Sequence, residues 1–417
     1  MNILILTQYY PPEIGAPQNR LSSLALSLKR GKHNVEILTT MPNYPKKEIF
    51  TEYRNLKYLE EKINNIKITR TSIYIPRNKS TLNLLLIYFS FVFSSIFQFR
   101  KKNKKFDYVI CESPPLFLGI SALYLSKRLK AKLIFNVSDL WPESAERLGI
   151  IKNKIFLYPA YLLEWLIYKN AFLVTCQTKG ILKNINKRYP KVETYWFPNG
   201  IDKSILNFKK DKYFSQNFKK EGKKLIIYGG LLGHAQGLYT ILKAKKWIKK
   251  NYPLINDGLK IVFIGDGPEK IKLEKLNQSM ETNITFLPAD IKSKFISKLS
   301  NGDACIIPLR KLDIFKGAIP SKIFDALALG IPIILGVDGE ARELFIEEAN
   351  AGIFYKPENY QELAKGLIKI YSNKNLENKR LGKNGQAFVF NNFDREHLNK
   401  KLIDHLEEKN CFANSNS

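Results

Sequence analysis

The sequence contains little cysteine and little histidine. Each occurs four times in 417 residues, and the cysteines stand far apart, at Cys111, Cys176, Cys305 and Cys411. Structural zinc sites and disulfide frameworks need cysteines at short, regular spacings, and no C-x-x-C pair is present. The sequence therefore predicts no zinc site and favours a reducing compartment.

The N-terminus lacks the features of a secretory leader. It reads MNILILTQYYPP, a short apolar run with no basic residues before it, so we expect a first β-strand and not a signal peptide. The composition, 45% hydrophobic and 25% charged, is typical of a globular protein. The length predicts two domains.

Negative charge is scarce. The chain has 67 Lys and Arg against 38 Asp and Glu, a net charge of +29, and residues 1–200 hold 31 of the cations but 13 of the anions. A lysine-rich composition by itself explains part of this excess; the functional interpretation is an anionic partner. No recognised nucleic-acid motif is present, so we expect no nucleic acid and favour the anionic surface of a membrane.

One segment of the basic half is a candidate for membrane contact. Residues 82–99 are uncharged and mostly apolar, and a run of Lys and Arg follows directly. Their length is at the lower limit for a spanning helix. We favour a helix buried partly in its domain and partly in a membrane interface. A core helix with a solvated basic end and a true spanning helix are the alternatives.

Apolar, β-rich runs alternate with helical patterns along the chain. Strands are predicted at 3–7, 34–39, 67–71, 108–111, 132–136, 172–176, 224–228, 260–264, 284–286, 304–308 and 332–335. Continuous apolar strands separated by helices indicate parallel sheets covered on both faces. We predict two doubly wound Rossmann-like α/β domains, 1–200 and 201–385, and a C-terminal helix at 386–417 that crosses back to the first domain.

Glycine-rich loops follow two of the predicted C-terminal strands. The first loop contains Gly230 and Gly233, and the second contains Gly265 and Gly267. A strand, a glycine loop and then a helix is the local arrangement that cradles phosphates, so these glycines are candidate ligand contacts. Neither loop matches G-x-G-x-x-G or the Walker sequence.

Two further positions near these loops are candidates. His234, inside the first loop, would donate to a phosphate or a leaving-group oxygen; an exposed loop residue without such a role is the alternative. The backbone around Ala289, after the strand at 284–286, is placed to contact a base.

The stretch GAIPSKIFDALALGIPII predicts a helix whose start suits an anion. Ser321 and Lys322 stand at that start, where free N–H groups and the helix dipole favour negative charge. Asp325 follows on the same helix face. Lys316 just before the helix and Glu340 after the next strand complete a candidate site for phosphates and hydroxyls.

The first domain offers two candidates at predicted strand ends. Gly15 opens a helix after the first strand, where it either allows close approach to a ligand or forms a turn. Asp139 follows the strand at 132–136 and is a candidate catalytic or acceptor-binding carboxylate, because ligands of such sheets lie at the carboxyl ends of the strands.

Taken together, these motifs resemble a known family. YGGLLGHAQGL, FIGDGPE, FPNGID and IPSKIFDALALGIPII resemble the family 4 retaining glycosyltransferases in content and order, and QYYPPEIGAPQNR, MPNYP and DLWPES are similar to a subgroup that assembles bacterial O-antigen and colanic acid, such as the L-fucosamine transferases. The resemblance implies the GT-B fold, with two Rossmann-like domains facing a central cleft.

The resemblance also implies roles for particular positions. Many members bind the donor ribose with the second Glu of a Glu-x7-Glu motif, where Asp325 stands here, with Gly317 in place of the first Glu. Many hold the diphosphate with an Arg and a Lys, and Leu231 and Gln236 stand at those positions. The residues themselves offer Lys316, Lys322 and Arg310 as substitutes, and one or two of these cations would neutralise the diphosphate, with Lys322 at the helix start as the provisional choice.

The function implied is sugar transfer from a UDP-sugar to a lipid-linked, polyprenyl-diphosphate saccharide at the inner face of the cytoplasmic membrane. An N-acetylated amino sugar or a deoxy sugar is a candidate for the group transferred. No cofactor and no metal are expected, since no D-x-D motif follows a strand, and Asp139, His234 and Lys322 are the candidate catalytic residues. The alternatives are a degenerate, non-catalytic partner subunit and a sugar-nucleotide epimerase.

Overall fold

The structure, a computed structural model, describes residues 1–13, 15–44, 48–76, 81–99, 104–149, 151, 154–219, 221–373 and 375–415. The strands are β1 Asn2–Leu6, β2 Asn34–Thr40, β3 Tyr58–Ile63, β4 Ile66–Thr71, β5 Tyr108–Ser113, β6 Lys132–Val137, β7 Leu173–Cys176, β8 Thr194–Trp196, β9 Lys224–Gly229, β10 Leu259–Ile264, β11 Thr285–Leu287, β12 Ala304–Pro308, β13 Ile333–Gly336 and β14 Gly352–Phe354. The helices are α1 Ala16–Arg30, α2 Thr81–Phe99, α3 Leu118–Arg128, α4 Glu143–Arg147, α5 Lys154–Asn170, α6 Lys179–Arg188, α7 Lys212–Phe218, α8 Tyr239–Asn251, α9 Pro253–Gly258, α10 Lys270–Met280, α11 Lys292–Leu299, α12 Lys322–Ala328, α13 Glu340–Arg342, α14 Tyr360–Ser372, α15 Asn375–Asn392 and α16 Arg395–Ser415.

The first compact unit comprises residues 1–199 and 395–417. Its sheet has the order β3-β4-β2-β1-β5-β6-β7-β8, and every pair is parallel except β3 with β4. The expectation of purely parallel strands is wrong at this edge. Asn64 and Asn65 both take positive φ, 52° and 60°, and join β3 to β4 as a two-residue hairpin.

Both faces of this sheet are covered. On β1, Leu4 and Leu6 point into a core shared with α2, α3, α5 and α6, whereas Ile3 and Ile5 point into a core shared with α1 and α16. Side chains alternate between the faces of a strand, so a strand covered on both sides must be apolar throughout. That requirement is why the buried strands could be recognised as continuous apolar runs.

The second unit comprises residues 200–394. Its sheet is wholly parallel in the order β11-β10-β9-β12-β13-β14. Residue 386, where the C-terminal helix was expected to begin, lies inside α15. The chain returns to the first unit at Arg395, the first residue of α16. In α16, Leu402 and Leu406 are buried in the core that α1 also enters.

Helix α2 contains the apolar segment singled out above. Phe91, Val92 and Phe99 are buried, while Phe93 and Phe97 are exposed. Within the described part of the chain, no helix combines the length and apolarity that crossing a bilayer demands. Residues 100–103, which include most of the basic run, lie outside the described residues.

Candidate functional site

Two loops at the carboxyl ends of β9 and β10 pack directly onto each other. The amide of Gly230 donates to the carbonyl of Ile264 at 2.9 Å, and the amide of Leu232 donates to the carbonyl of Asp266 at 2.8 Å. These backbone bonds extend the pairing of the two strands into the loops. The two predicted glycine loops therefore form one surface.

The glycines in these loops are required by backbone contact. A Cβ atom on Gly265 would lie 1.9 Å from the carbonyl oxygen of Gly230, and one on Gly267 would lie 2.4 Å from that of Leu232. Gly230 has a φ of 121°, which side-chain-bearing residues rarely adopt. At Gly233, the nearest atom to such a Cβ is Oε1 of Gln236, at 2.9 Å.

Lys322, at the start of α12, lies against the first loop. Its Nζ donates to the hydroxyl of Tyr228 at 3.0 Å and lies 3.3 Å from the position of a Cβ on Gly230. Burial lowers the pKa of Lys322 to about 8, while Cys305 and Asp325 act in the opposite direction. This desolvated ammonium group has three N–H donors, and one of them is engaged by a neutral hydroxyl.

Asp325, one turn further along α12, is held by a second cation. Its Oδ2 accepts a hydrogen bond from Nζ of Lys292, the first residue of α11. The Asp325 side chain is largely buried, so Lys292 fixes its orientation. Ser321 is exposed and forms no capping hydrogen bond with α12, so that part of the predicted anion site rests on the backbone.

The structure brings the loops of Lys316 and Glu340 together. A Cβ on Gly339 would lie 2.3 Å from the carbonyl oxygen of Lys316, so glycine allows the two loops to touch. The Lys316 ammonium itself is exposed and pairs with Asp313 at 2.9 Å, and that hydrogen bond raises its pKa. Glu340 begins α13 directly after this contact.

His234 and Ala289 lie further out on the same unit. His234 is exposed, and its Nδ1 is 3.0 Å from Oε1 of Glu269, a residue of the second glycine loop. Ala289 is also exposed, beyond the end of β11. Both positions stay predictions as ligand contacts.

Gln236, where the resemblance to the family 4 glycosyltransferases implies a lysine, has an unusual feature. Oε1 of Gln236 is buried and has no hydrogen-bond partner among the described residues. A backbone hydrogen bond holds the loop next to Gln236, because the amide of Arg310 donates to the carbonyl of Ala235 at 2.9 Å. A buried acceptor without a partner costs free energy, which a ligand hydroxyl at this position would recover.

The two candidates of the first unit have different surroundings. Asp139 keeps contact with solvent, and its Oδ1 accepts from the hydroxyl of Ser144 at 2.6 Å. Desolvation by the surrounding protein raises the pKa of Asp139, and the Ser144 bond opposes that rise. Gly15 precedes α1, where a Cβ would lie 2.4 Å from Oε1 of Gln18.

A buried polar network, which the sequence did not indicate, lies beside Asp139. Arg20 and Glu112 form an ion pair at 2.5 Å, and both side chains are about 1% exposed. Glu112 also accepts from Ser138 at 2.5 Å and from Asn136 at 2.9 Å, and Arg20 donates to Asn199 at 2.9 Å. The partners are up to 179 residues apart in the chain, so no local pattern connects them.

Glu13 is a second buried carboxylate that the sequence did not single out. It accepts from the amides of Tyr10, Asn43 and Tyr44 at 2.8 to 3.1 Å, and so joins the loops after β1 and β2. Burial raises its pKa, whereas the three amides and Arg70 lower it.

Among the described residues, no group of three or more His, Cys, Asp or Glu side chains is arranged to hold a metal ion.

Comparison with known proteins places these features in context. Residues 209–409 match the model of the family described as Glycosyl transferases group 1. The chain is 25% identical over 379 residues to the putative colanic acid biosynthesis glycosyl transferase WcaI of Escherichia coli, covering 88% of this chain and 91% of the relative. It is 22% identical over 393 residues to the alpha-monoglucosyldiacylglycerol synthase of Acholeplasma laidlawii, covering 89% of each. The chain is thus similar to the group 1 glycosyl transferase model over residues 209–409 and to these two relatives over most of its length.

Solved structures agree on the fold. Sucrose-phosphate synthase from Thermosynechococcus elongatus superposes with a TM-score of 0.75 at 14% identity, covering 99% of this chain and 100% of that one. HepE from Anabaena superposes with a TM-score of 0.69 at 16% identity, covering 98% and 99%. The prediction of two Rossmann-like α/β domains of the GT-B type is confirmed.

The contact between the glycine loops gives a direct test. We expect Gly265→Ala to lower the free energy of unfolding by about 2 kcal/mol or more. The new methyl group would overlap the backbone carbonyl of Gly230, which cannot rotate away as a flexible side chain could. Urea denaturation followed by circular dichroism measures this change.

Gly366→Ala is the matched control. Gly366 lies within α14, and the nearest atom to its Cβ would be 3.5 Å away, so alanine is expected to be neutral or stabilising by up to about 1 kcal/mol. Equal stability of the two variants would contradict the packing role of Gly265.

Proposed function

We propose that this chain is a retaining glycosyltransferase that transfers a sugar from a UDP-sugar to a lipid-linked, polyprenyl-diphosphate saccharide in the synthesis of a bacterial surface polysaccharide. The observation that carries the proposal is Lys322, a desolvated ammonium group held beneath the glycine loop of Gly230. The sugar is proposed only as a hexose or an N-acetylated amino or deoxy sugar.

The energetics of Lys322 favour an anionic ligand. Removal of an ammonium group from water is costly, and a single hydroxyl does not compensate for the lost hydration. A diphosphate beside Gly230 would supply both the counter-charge and the acceptors that the remaining N–H donors lack. The amides of Gly230 and Leu232 already donate to the neighbouring loop, so any backbone donors for this diphosphate would come from other amides of the loop.

The neighbouring carboxylates suit the hydroxyl groups of a nucleotide sugar. Asp325, oriented by Lys292, would accept from the ribose hydroxyls, and Glu340 is a second acceptor. The unpartnered Oε1 of Gln236 adds an acceptor on the glycine-loop side. The backbone at Ala289 would contact the base, and Lys316 and Ser321 would add to phosphate binding at the start of α12.

Relatives support the choice of donor. HepE has been solved in complex with UDP and glucose. The names of WcaI and of the alpha-monoglucosyldiacylglycerol synthase associate those relatives with colanic acid and with a lipid. A UDP-sugar donor and a membrane-borne acceptor follow by analogy.

The proposed reaction breaks the bond between the anomeric carbon and the diphosphate. Lys322 and the loop amides would stabilise the charge that develops on the leaving UDP, without a metal. The acceptor oxygen forms the new bond on the same face of the sugar, and its proton passes to the departing phosphate oxygen. Asp139 and His234 would orient the reacting groups, and no strong general base is required.

Nucleotide-dependent stabilisation tests the donor site. UDP at about 100 times its Kd is expected to stabilise the protein by about 2.7 kcal/mol and to raise the Tm by several degrees, whereas GDP, ADP, CMP and NAD are not. A thermal-shift screen with the five nucleotides measures this. Asp325→Ala should abolish the response, and Asp257→Ala, at an exposed carboxylate on α9, should leave it unchanged.

Two other outcomes of the nucleotide screen would contradict the proposal in part or in full. A response to GDP or ADP alone would retain a transferase and contradict the UDP donor. A response to none of the nucleotides would contradict the proposal and favour a degenerate partner subunit.

The pKa of Lys322 predicts how nucleotide binding depends on pH. Because this pKa is depressed to about 8, the amine is cationic below that pH and loses its charge above it. The affinity for UDP should fall about tenfold between pH 7 and pH 9, as the diphosphate loses its counter-charge. Tyr228 stays neutral over this range, because burial raises its pKa.

Calorimetric titration of Lys322→Met should show weaker binding without this pH dependence. Lys365→Met, at an exposed position on α14, should keep the profile of the unaltered protein. A pH dependence that persists in Lys322→Met would exclude Lys322 as its origin.

A further inference from the structure

Three helices on one face of the first sheet form a continuous layer. Helix α3 packs against α2 through a hydrogen bond of 2.9 Å between the hydroxyls of Ser95 and Ser121. It packs against α5 at Gly119, where a Cβ would lie 2.1 Å from Ile167. All three helices direct one side into the same core, so their other sides point away from the sheet.

Helix α5 is apolar on both sides. Leu157, Ala160 and Ile167 are buried, as expected of a helix that covers a sheet. Its outer side carries large apolar residues at helical spacing, with Tyr158 as much as 74% exposed. These outer residues are Ile155, Tyr158, Leu162, Trp165 and Leu166. A helix that is apolar all round is normally buried, so its position at the surface needs an explanation.

The other two helices extend this surface. Phe93 on α2 is 68% exposed, and Leu86 and Phe97 lie on the same helix with large exposed fractions. Tyr124 adds an exposed aromatic ring on α3, the middle helix. We call the exposed apolar side chains of α2, α3 and α5 the apolar face.

The exposed charges on the helices of the apolar face are positive, while the neighbouring α4 contributes Glu143 and the exposed Glu146, which accepts from the hydroxyl of Tyr161 on α5 at 2.6 Å. In the sequences of α2, α3, α5 and α6, the single carboxylate is Glu164, which is buried in a bidentate pair with Arg188 at 2.7 Å for each bond. Among the described side chains, the exposed cations of these helices are Lys127, Arg128, Lys169, Lys179, Lys183 and Lys187. Lys169 places its Nζ 4.8 Å from the ring centre of Trp165, at the end of the apolar face.

We propose that the apolar face docks on the surface of an anionic lipid bilayer, with α5 as its principal contact. Leucine and aromatic side chains enter the boundary between headgroups and acyl chains, and tyrosine and tryptophan are favoured there because one end of each ring is polar. Lysines at the edge attract anionic headgroups, at about 1 kcal/mol for each cation near the surface. A layer with several cations and no exposed carboxylate on its helices has the charge complementary to such a membrane.

This inference deepens the proposed function, since an enzyme with a lipid-linked acceptor must meet a bilayer. It differs from the expectation drawn from residues 82–99 alone, because among the described side chains α5 has more large exposed apolar residues than α2. Docking through three helices lying along the surface needs no helix to enter the bilayer core.

Vesicle co-sedimentation tests the proposal. The full chain should bind vesicles of phosphatidylglycerol and phosphatidylcholine in equal parts, and should bind weakly to pure phosphatidylcholine or at high salt. The triple variant Tyr158→Ser, Leu162→Ser, Trp165→Ser should lose at least about tenfold in partitioning. These side chains are exposed, so the variant is expected to fold, which circular dichroism would verify.

The double variant Leu254→Ser, Ile271→Ser is the matched control. These residues are 85% and 69% exposed on the second unit, and their replacement should leave vesicle binding unchanged. Unchanged binding of the triple variant would overturn the proposal. A dimer in solution that the triple variant dissociates, without vesicle binding by either protein, would assign the apolar face to a second copy instead.

The same samples separate this proposal from the proposed function. Binding of UDP is measured in solution without vesicles, and the triple variant should bind it as the unaltered chain does. Loss of vesicle binding with intact UDP binding supports docking through the apolar face, whereas absence of UDP binding from both proteins would contradict the donor site alone.

Discussion

The contact between the loops after β9 and β10 is the constraint on which the candidate donor site depends. The carbonyl of Gly230 lies where the side chain of any other residue at 265 would be, so the loops can meet only through glycine. Their meeting positions Gly230 against Lys322, and Lys322 against Tyr228. A half-buried ammonium group beside bare backbone is thus a consequence of how two loops pack.

The buried charges of the two units contrast in a way that bears on function. Arg20 with Glu112, and Arg188 with Glu164, are ion pairs whose buried members satisfy each other. Such pairs are costly to break, because the remaining charge stays buried without compensation. Lys322 has a neutral hydroxyl where those arginines have carboxylates. Lys245, a buried lysine of the second unit, donates to the carbonyls of Asn256 and Leu259 at 2.8 and 2.7 Å, so two acceptors satisfy it without an anion. Lys322 has one hydroxyl partner among the described residues, and an anionic ligand would add the acceptors that Lys245 obtains from the backbone.

Sequence patterns anticipated the fold because both sheets are covered on two faces, which requires continuous apolar strands. The pattern failed at β3, an edge strand whose alternating polar residues join the sheet through a two-asparagine hairpin. It also passed over β8 and β14, which are three residues long and half-buried. Short edge strands depend on their neighbours more than on their own composition.

The candidate site was predictable in part. The glycines, Lys322 and Asp325 stood out because each is an unusual residue type at the end of a strand or the start of a helix. Their partners did not: Tyr228 reads as an ordinary buried strand residue, and Lys292 is 33 residues from Asp325. The apolar face on α5 was missed for a related reason, since apolar periodicity reveals that a helix is apolar but not which sides remain exposed.

In the proposed donor complex, Lys322 exchanges its hydroxyl partner for the diphosphate of a nucleotide. A crystal structure of the full chain grown with UDP tests this most directly, through the position of the β-phosphate relative to Nζ of Lys322. We expect a phosphate oxygen within about 3 Å of Nζ, the distance of a charge-assisted hydrogen bond, beside the backbone of Gly230. A diphosphate bound elsewhere, with Lys322 still directed only at Tyr228, would contradict it.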